Sequence, residues 1–113
     1  MTIREIIKET GATLATPEAG LSAIVEHCCC CDLLSWVMAK GKANSAWITV
    51  QTHLNVIAVA SLLDMPAVIL PDGIQPEEAT QKKAAEEGIA IICSPMNAFD
   101  ICAVLGSFGV KGD

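Results

Sequence analysis

Apolar and polar positions alternate with two different periods along this chain, and the switches between them mark its elements. Ile3, Ile6 and Ile7 recur at helical spacing behind Thr2, and Thr2 with Glu5 is set as a capping box. A first helix ending at Gly11 is predicted. Residues 13–16 read as a short extended piece, and Pro17-Glu18-Ala19-Gly20 as a loop. A short strand is predicted over residues 22–27, with the cysteines at 28–31 at its exit. Asp32 then stands in N-cap position for a helix running to Lys40, with Leu33, Leu34, Trp36, Val37 and Met38 on its apolar side.

Ala46-Trp47-Ile48-Thr49-Val50 combines β-branched and aromatic residues and predicts a strand. Residues 56–63 are apolar nearly all round, as expected of a helix buried on both sides, in the core or at a subunit contact. A continuous apolar strand follows at Ala67-Val68-Ile69-Leu70 and turns at Pro71-Asp72-Gly73. The pattern predicts a helix over 76–87 closed by Gly88, a strand at Ile89-Ala90-Ile91-Ile92, and a last helix over 97–108. Short apolar strands separated by helices imply a parallel sheet covered on both faces. The fold class expected is therefore α/β, a three-layer α/β/α domain over residues 1–113 with a mainly parallel sheet of about four strands.

In such a sheet the strand exits share one edge, where open α/β folds bind ligands and helix N-termini attract anions. The exits carry the polar and small residues of this chain. Thr49, Gln51, Thr52, His53 and Asn55 place hydroxyl, amide and imidazole groups at one strand-to-helix junction, and Asp72 and Gly73 form the next exit. These seven residues are the candidate ligand-binding set. The structural alternative is that Thr52 or Asn55 caps the helix and that Asp72-Gly73 merely reverses the chain.

Composition narrows the partners. The net charge of −6, with only 7 Lys and Arg, leaves no basic stripe to track a phosphate backbone, so no nucleic acid is expected. The longest apolar stretch, residues 56–70, is broken by Asp64 and Pro66 and falls short of the ~20 residues that cross a bilayer. No membrane is expected, and the opening Met1-Thr2-Ile3-Arg4-Glu5 lacks the apolar core of a signal peptide, so a cytoplasmic location is expected. A hydrophobic share of 52% is high for a small domain and points to a homodimer.

Six cysteines without an export signal read as reduced thiols. In an extended segment Cys29 and Cys31 face one way, and Cys93 lies at another exit of the same edge. With His27 or His53 they form a candidate set for zinc or an iron–sulfur cluster. No CxxC pair supports it, and the alternative is that small thiols fill a tight turn, with Cys102 in the core. A phosphate loop, a G-x-S-x-G elbow and an HExxH motif are all missing, so no catalytic machinery is expected; a Cys31–His53 or Cys93–His53 pair is the remaining thiol-enzyme reading.

Asp32-Leu33-Leu34-Ser35-Trp36-Val37-Met38, the stretch from Trp47 through Gln51-Thr52-His53-Leu54-Asn55 to Ala60, Gly73-Ile74-Gln75-Pro76 and Glu86-Glu87-Gly88-Ile89 together resemble the DRTGG-domain family. The resemblance covers nearly the whole chain, although the string that names the family is absent. It implies a fold similar to the N-terminal domain of HPr kinase/phosphorylase, frequently dimeric. That family occurs as a regulatory insert in pyrophosphatases with CBS domains and in long phosphotransacetylases, and as stand-alone members in anaerobic bacteria. A regulatory or nucleotide-linked role is thereby implied, without kinase activity, for which this chain has no phosphate loop. The cysteines at 28–31 depart from the small Gly/Ala segment expected before Asp32, which favours the metal reading.

Overall fold

The computed structural model describes residues 1–18 and 20–113. Its elements run α1 (Ile3–Glu9), β1 (Thr13–Leu14), β2 (His27–Cys30), α2 (Leu34–Lys40), β3 (Ser45–Ile48), α3 (Leu54–Leu62), β4 (Ala67–Leu70), α4 (Glu78–Glu87), β5 (Ala90–Cys93), α5 (Ala98–Ser107) and β6 (Lys111–Gly112). The sheet order is β1-β5-β4-β3-β2-β6. Strands β2, β3, β4 and β5 form a parallel ladder in chain order, extended by antiparallel β1 on β5 and by parallel β6 on β2. The expected α/β/α architecture is present, with six strands where the pattern predicted about four. The two additions are only two residues long: β1 falls within the extended piece expected at residues 13–16, and β6 is too short to show a period.

Successive side chains of a strand point to opposite faces, and that alternation sorts the core into two layers. On one face Trp47, Val68, Leu70 and Ile91 pack with Val37 of α2, Val56, Ile57 and Ala60 of α3 and Ala84 of α4. On the other, Ala46, Ile48, Ile69 and Ile92 pack with Ile3 and Ile6 of α1 and Ile101 and Leu105 of α5. Local signals hold up at several termini. Thr2 and Glu5 form the capping box of α1, and Gly88 ends α4 in the left-handed conformation (φ 70°) that a Cβ disfavours.

Two expectations are corrected and a third is met in part. The strand predicted over 22–27 lies instead at His27–Cys30, so that Cys28, Cys29 and Cys30 belong to the strand rather than to its exit. Leu21 and Val25 instead clamp α1: the Arg4 amide donates to the Leu21 carbonyl at 3.0 Å and the Val25 amide to that of Met1 at 2.8 Å. Asp32 does not cap α2; Leu33 holds that position, without a side-chain bond. Within one chain helix α3 is covered on one side only, which leaves the expected subunit contact to cover the other. Leu54, Ala58 and Leu62, spaced by one turn, stay exposed while Val56, Ile57, Val59 and Ala60 are buried.

Packing at the end of α2 is tight. A Cβ on Gly41 would lie 2.5 Å from Met65 Cε and 2.7 Å from the Val37 carbonyl oxygen, whereas one on Gly106, within α5, meets nothing within 4 Å. Gly41→Ala is therefore expected to cost about 1–3 kcal/mol in urea unfolding. Gly106→Ala should gain about 0.5–1 kcal/mol from helix propensity. Equal effects at the two sites would contradict this packing.

Candidate functional site

Because β2 to β5 run parallel, their exits share one rim, and two hydrogen-bonded knots build it. The first joins the exits of β2 and β3. Asp32 Oδ1 accepts from Thr49 Oγ1 at 2.8 Å and from the Val50 amide at 2.9 Å. Gln51 Nε2 donates to the Asp32 carbonyl at 2.9 Å, and the Gln51 amide donates to Thr49 Oγ1 at 3.1 Å. Trp47 Nε1 adds a bond to the Cys31 carbonyl at 2.8 Å. Thr49 is buried and Gln51 half-buried, so these two candidate residues shape the rim rather than face solvent freely. The second knot joins the exits of β4 and β5. Asp72 and Gly73, both left-handed at φ 57° and 70°, donate their amides to the Met96 and Ser94 carbonyls at 2.8 and 2.9 Å.

Between the knots lies the start of α3. His53 occupies its N-cap position with an exposed ring and no side-chain cap bond, and no acidic residue sits in the first turn. Neither Thr52 nor Asn55 caps the helix. Thr52 Oγ1 instead donates to Glu77 Oε2 at 3.2 Å, while the Thr52 carbonyl accepts from Thr80 Oγ1 at 2.6 Å. The same Glu77 oxygen lies 3.8 Å from His53 Nδ1. Thr52 and His53 thus stand beside Glu77, with Asn55 exposed in the first turn of α3. Asp32 and Glu77 are the residues that sequence reasoning missed; their partners stand 17 and about 25 positions away, beyond any local pattern.

The proposed metal set does not assemble. Cys29 and Cys31 do share a face of the β2 segment. Cys93, however, belongs to β5, with β3 and β4 between, which places it about 14 Å away at the usual strand spacing. His27 stands at the opposite end of β2 from the rim. Among the described residues, no group of three or more His, Cys, Asp or Glu is placed to hold a metal ion. The thiols are also poor nucleophiles near neutrality. Burial pushes Cys29 and Cys30 up to about 11, and pushes Cys28 and Cys93 upward as well.

A cavity of about 400 Å³ opens away from the ligand segment, at the β2 edge between α2 and α5. The cysteines of β2, Trp36 and Lys40 of α2, and Cys102 of α5 line it. Lys40 Nζ lies 5.6 Å from the centroid of the Trp36 ring.

Thr49→Val keeps the side chain's shape but removes the hydroxyl that joins Asp32 to Gln51. A loss of about 1–3 kcal/mol in urea unfolding is expected, against almost none for exposed Asn55→Ala. The raised thiols give a pH dependence. Above the ordinary thiol value near 9.0 the unfolded chain releases protons that the folded chain retains to about 11. Stability is thus held below pH 9 and falls between pH 9 and 11. Anaerobic urea titrations at pH 8 and pH 10.5 should show the midpoint fall at the higher pH, and a Cys29→Ala/Cys30→Ala chain should lose part of that fall. A midpoint that rises would contradict the burial of these thiols.

No family model and no curated protein matches the chain. Among solved structures it is similar to the CBS and DRTGG domains of the regulatory region of Clostridium perfringens pyrophosphatase, complexed with the activator diadenosine tetraphosphate. The TM-score is 0.71 at 14% identity, over 92% of this chain and 45% of that one. The chain thus spans less than half the length of that structure, and the likeness is one of fold. No described helix is long and apolar enough to cross a membrane.

Proposed function

We propose that this chain is a non-catalytic regulatory module that senses a small anionic or nucleotide ligand at the carboxyl rim of its sheet. The observation that carries this reading is the open N-terminus of α3, whose first-turn amides face the rim without a side-chain cap. An anion there gains from those amides and from the helix dipole. Thr52, His53 and Asn55 supply the surrounding donors, Thr49 and Gln51 set the position of the loop, and Asp72 and Gly73 form the neighbouring wall. The structural neighbour, a regulatory region in complex with a nucleotide activator, supports the ligand class.

Glu77 gives the site a resting state. Its carboxylate accepts from Thr52 and lies beside His53, on the groups an incoming phosphate needs. Ligand and Glu77 therefore compete, and displacement of Glu77 shifts the start of α4 relative to α3. The exposed stripe Leu54, Ala58 and Leu62 runs along the same α3, which supports a homodimer or a partner protein docking on that helix. Binding at one end of α3 would then bias assembly along its length. A cytoplasmic setting fits the reduced thiols.

Thermal unfolding in the presence of mono-, di- and dinucleoside phosphates and of inorganic phosphate tests the reading. A ligand at 100 times its Kd adds ~2.7 kcal/mol to the folded state. Glu77→Gln should tighten binding several-fold by removing the rival anion, and His53→Ala should weaken it. No stabilisation by any of these compounds, or Glu77→Gln binding more weakly, would contradict the proposal.

A further inference from the structure

Five of the chain's six cysteines line a single cavity, the one at the β2 edge. The alternation of β2 divides four of them. Cys29 and Cys31 pack toward α2, while Cys28 lies on the α5 side together with Cys30, two residues on. Cys102 of α5 lines the same cavity and packs on the same layer as Cys28. Cys30 is exposed and Cys102 half-buried, so the trio is open to solvent through the cavity rather than sealed in the core.

Sulfur donors select soft cations. Zinc asks for four ligands in a closed site, and no such group is present among the described residues. A monovalent d10 ion is satisfied by two thiolates. We propose that Cys102, with the exposed Cys30 as its partner, is a binding site for copper(I) or an equally soft monovalent cation. Two S–H bonds break and two Cu–S bonds form; two protons leave and no electron moves. The bis-thiolate complex carries a net charge of −1, which Lys40 and Lys111 in the same cavity wall offset. Asp113 also lines the cavity, but its carboxylate is occupied, accepting from Ser45 Oγ at 2.8 Å and from the Lys42 amide at 3.1 Å. This site is separate from the rim of α3 and stands or falls without it.

The full chain is titrated anaerobically with copper(I) in competition with a colorimetric copper(I) chelator. One copper per chain is expected, with an ultraviolet thiolate-to-copper absorption. The logarithm of the affinity should climb by about 2 per pH unit, because two protons are released on loading. Cys102→Ser and Cys30→Ser should each weaken binding at least tenfold, and Cys29→Ser/Cys31→Ser should leave it unchanged. Cys30 is exposed, so Cys30→Ser keeps the test valid if Cys102→Ser fails to fold. Copper that the chelator strips completely, binding unaffected by Cys30→Ser, or binding lost in the Cys29→Ser/Cys31→Ser chain would overturn the proposal.

Discussion

Parallel pairing of β3 with β4, in the register Trp47 to Val68 and Ile48 to Ile69, holds two fully buried strands at the centre of the molecule. Helices α2, α3 and α4 cover one face and α1 and α5 the other, so the backbone groups of these strands have only each other and their outer neighbours as partners. A slip of one residue would turn Trp47 into the α1/α5 layer and Ile48 out of it. Register, direction and layer are therefore set together. From them follow a common rim for all four exits and, on β2, the division of the cysteines between two faces.

What the rim does with its polar groups is less free than residue types alone suggest. Thr49 and Gln51 are committed to Asp32, and the amides of Asp72 and Gly73 to the exit of β5. Such bonds stiffen the loops and leave α3's first turn as the open feature between them. Rigidity on both sides suits the proposed sensing role, in which a ligand would act through one displaceable contact, the Glu77 carboxylate. On β2, desolvation raises the thiols of Cys28, Cys29 and Cys30 and so favours their protonated form.

The fold was readable where local physics decides it. The capping box at Thr2 and Glu5, the glycine at 88 and the apolar run Ala67–Leu70 each report on neighbours within a few residues. Misreadings arose where distant residues decide. Leu21 and Val25 mimic a strand because they clamp α1 across an antiparallel bridge between Thr2 and Ile24. Asp32 has the chemistry of a helix cap, yet a hydroxyl 17 positions on claims it. Cys93 was grouped with Cys29 by its place at a strand exit, but the strand order inserts β3 and β4 between them. Cys102 does pack against the core layer as expected, but nothing local shows that α5 lies against β2, so that it also lines the cavity with Cys28 and Cys30.

The register at β2 is the most exposed point of this account, and thiol accessibility reads it directly. Desolvation raises both Cys29 and Cys30, while only Cys30 is exposed, so a small neutral alkylating reagent distinguishes them by access. The folded chain, treated with iodoacetamide and sequenced by tandem mass spectrometry, should carry label on Cys30 well before Cys29 and Cys93, with all six equal in urea. Cys29 labelled as fast as Cys30 in the folded chain would mean that the strand is turned over, and the two-layer arrangement would fall with it.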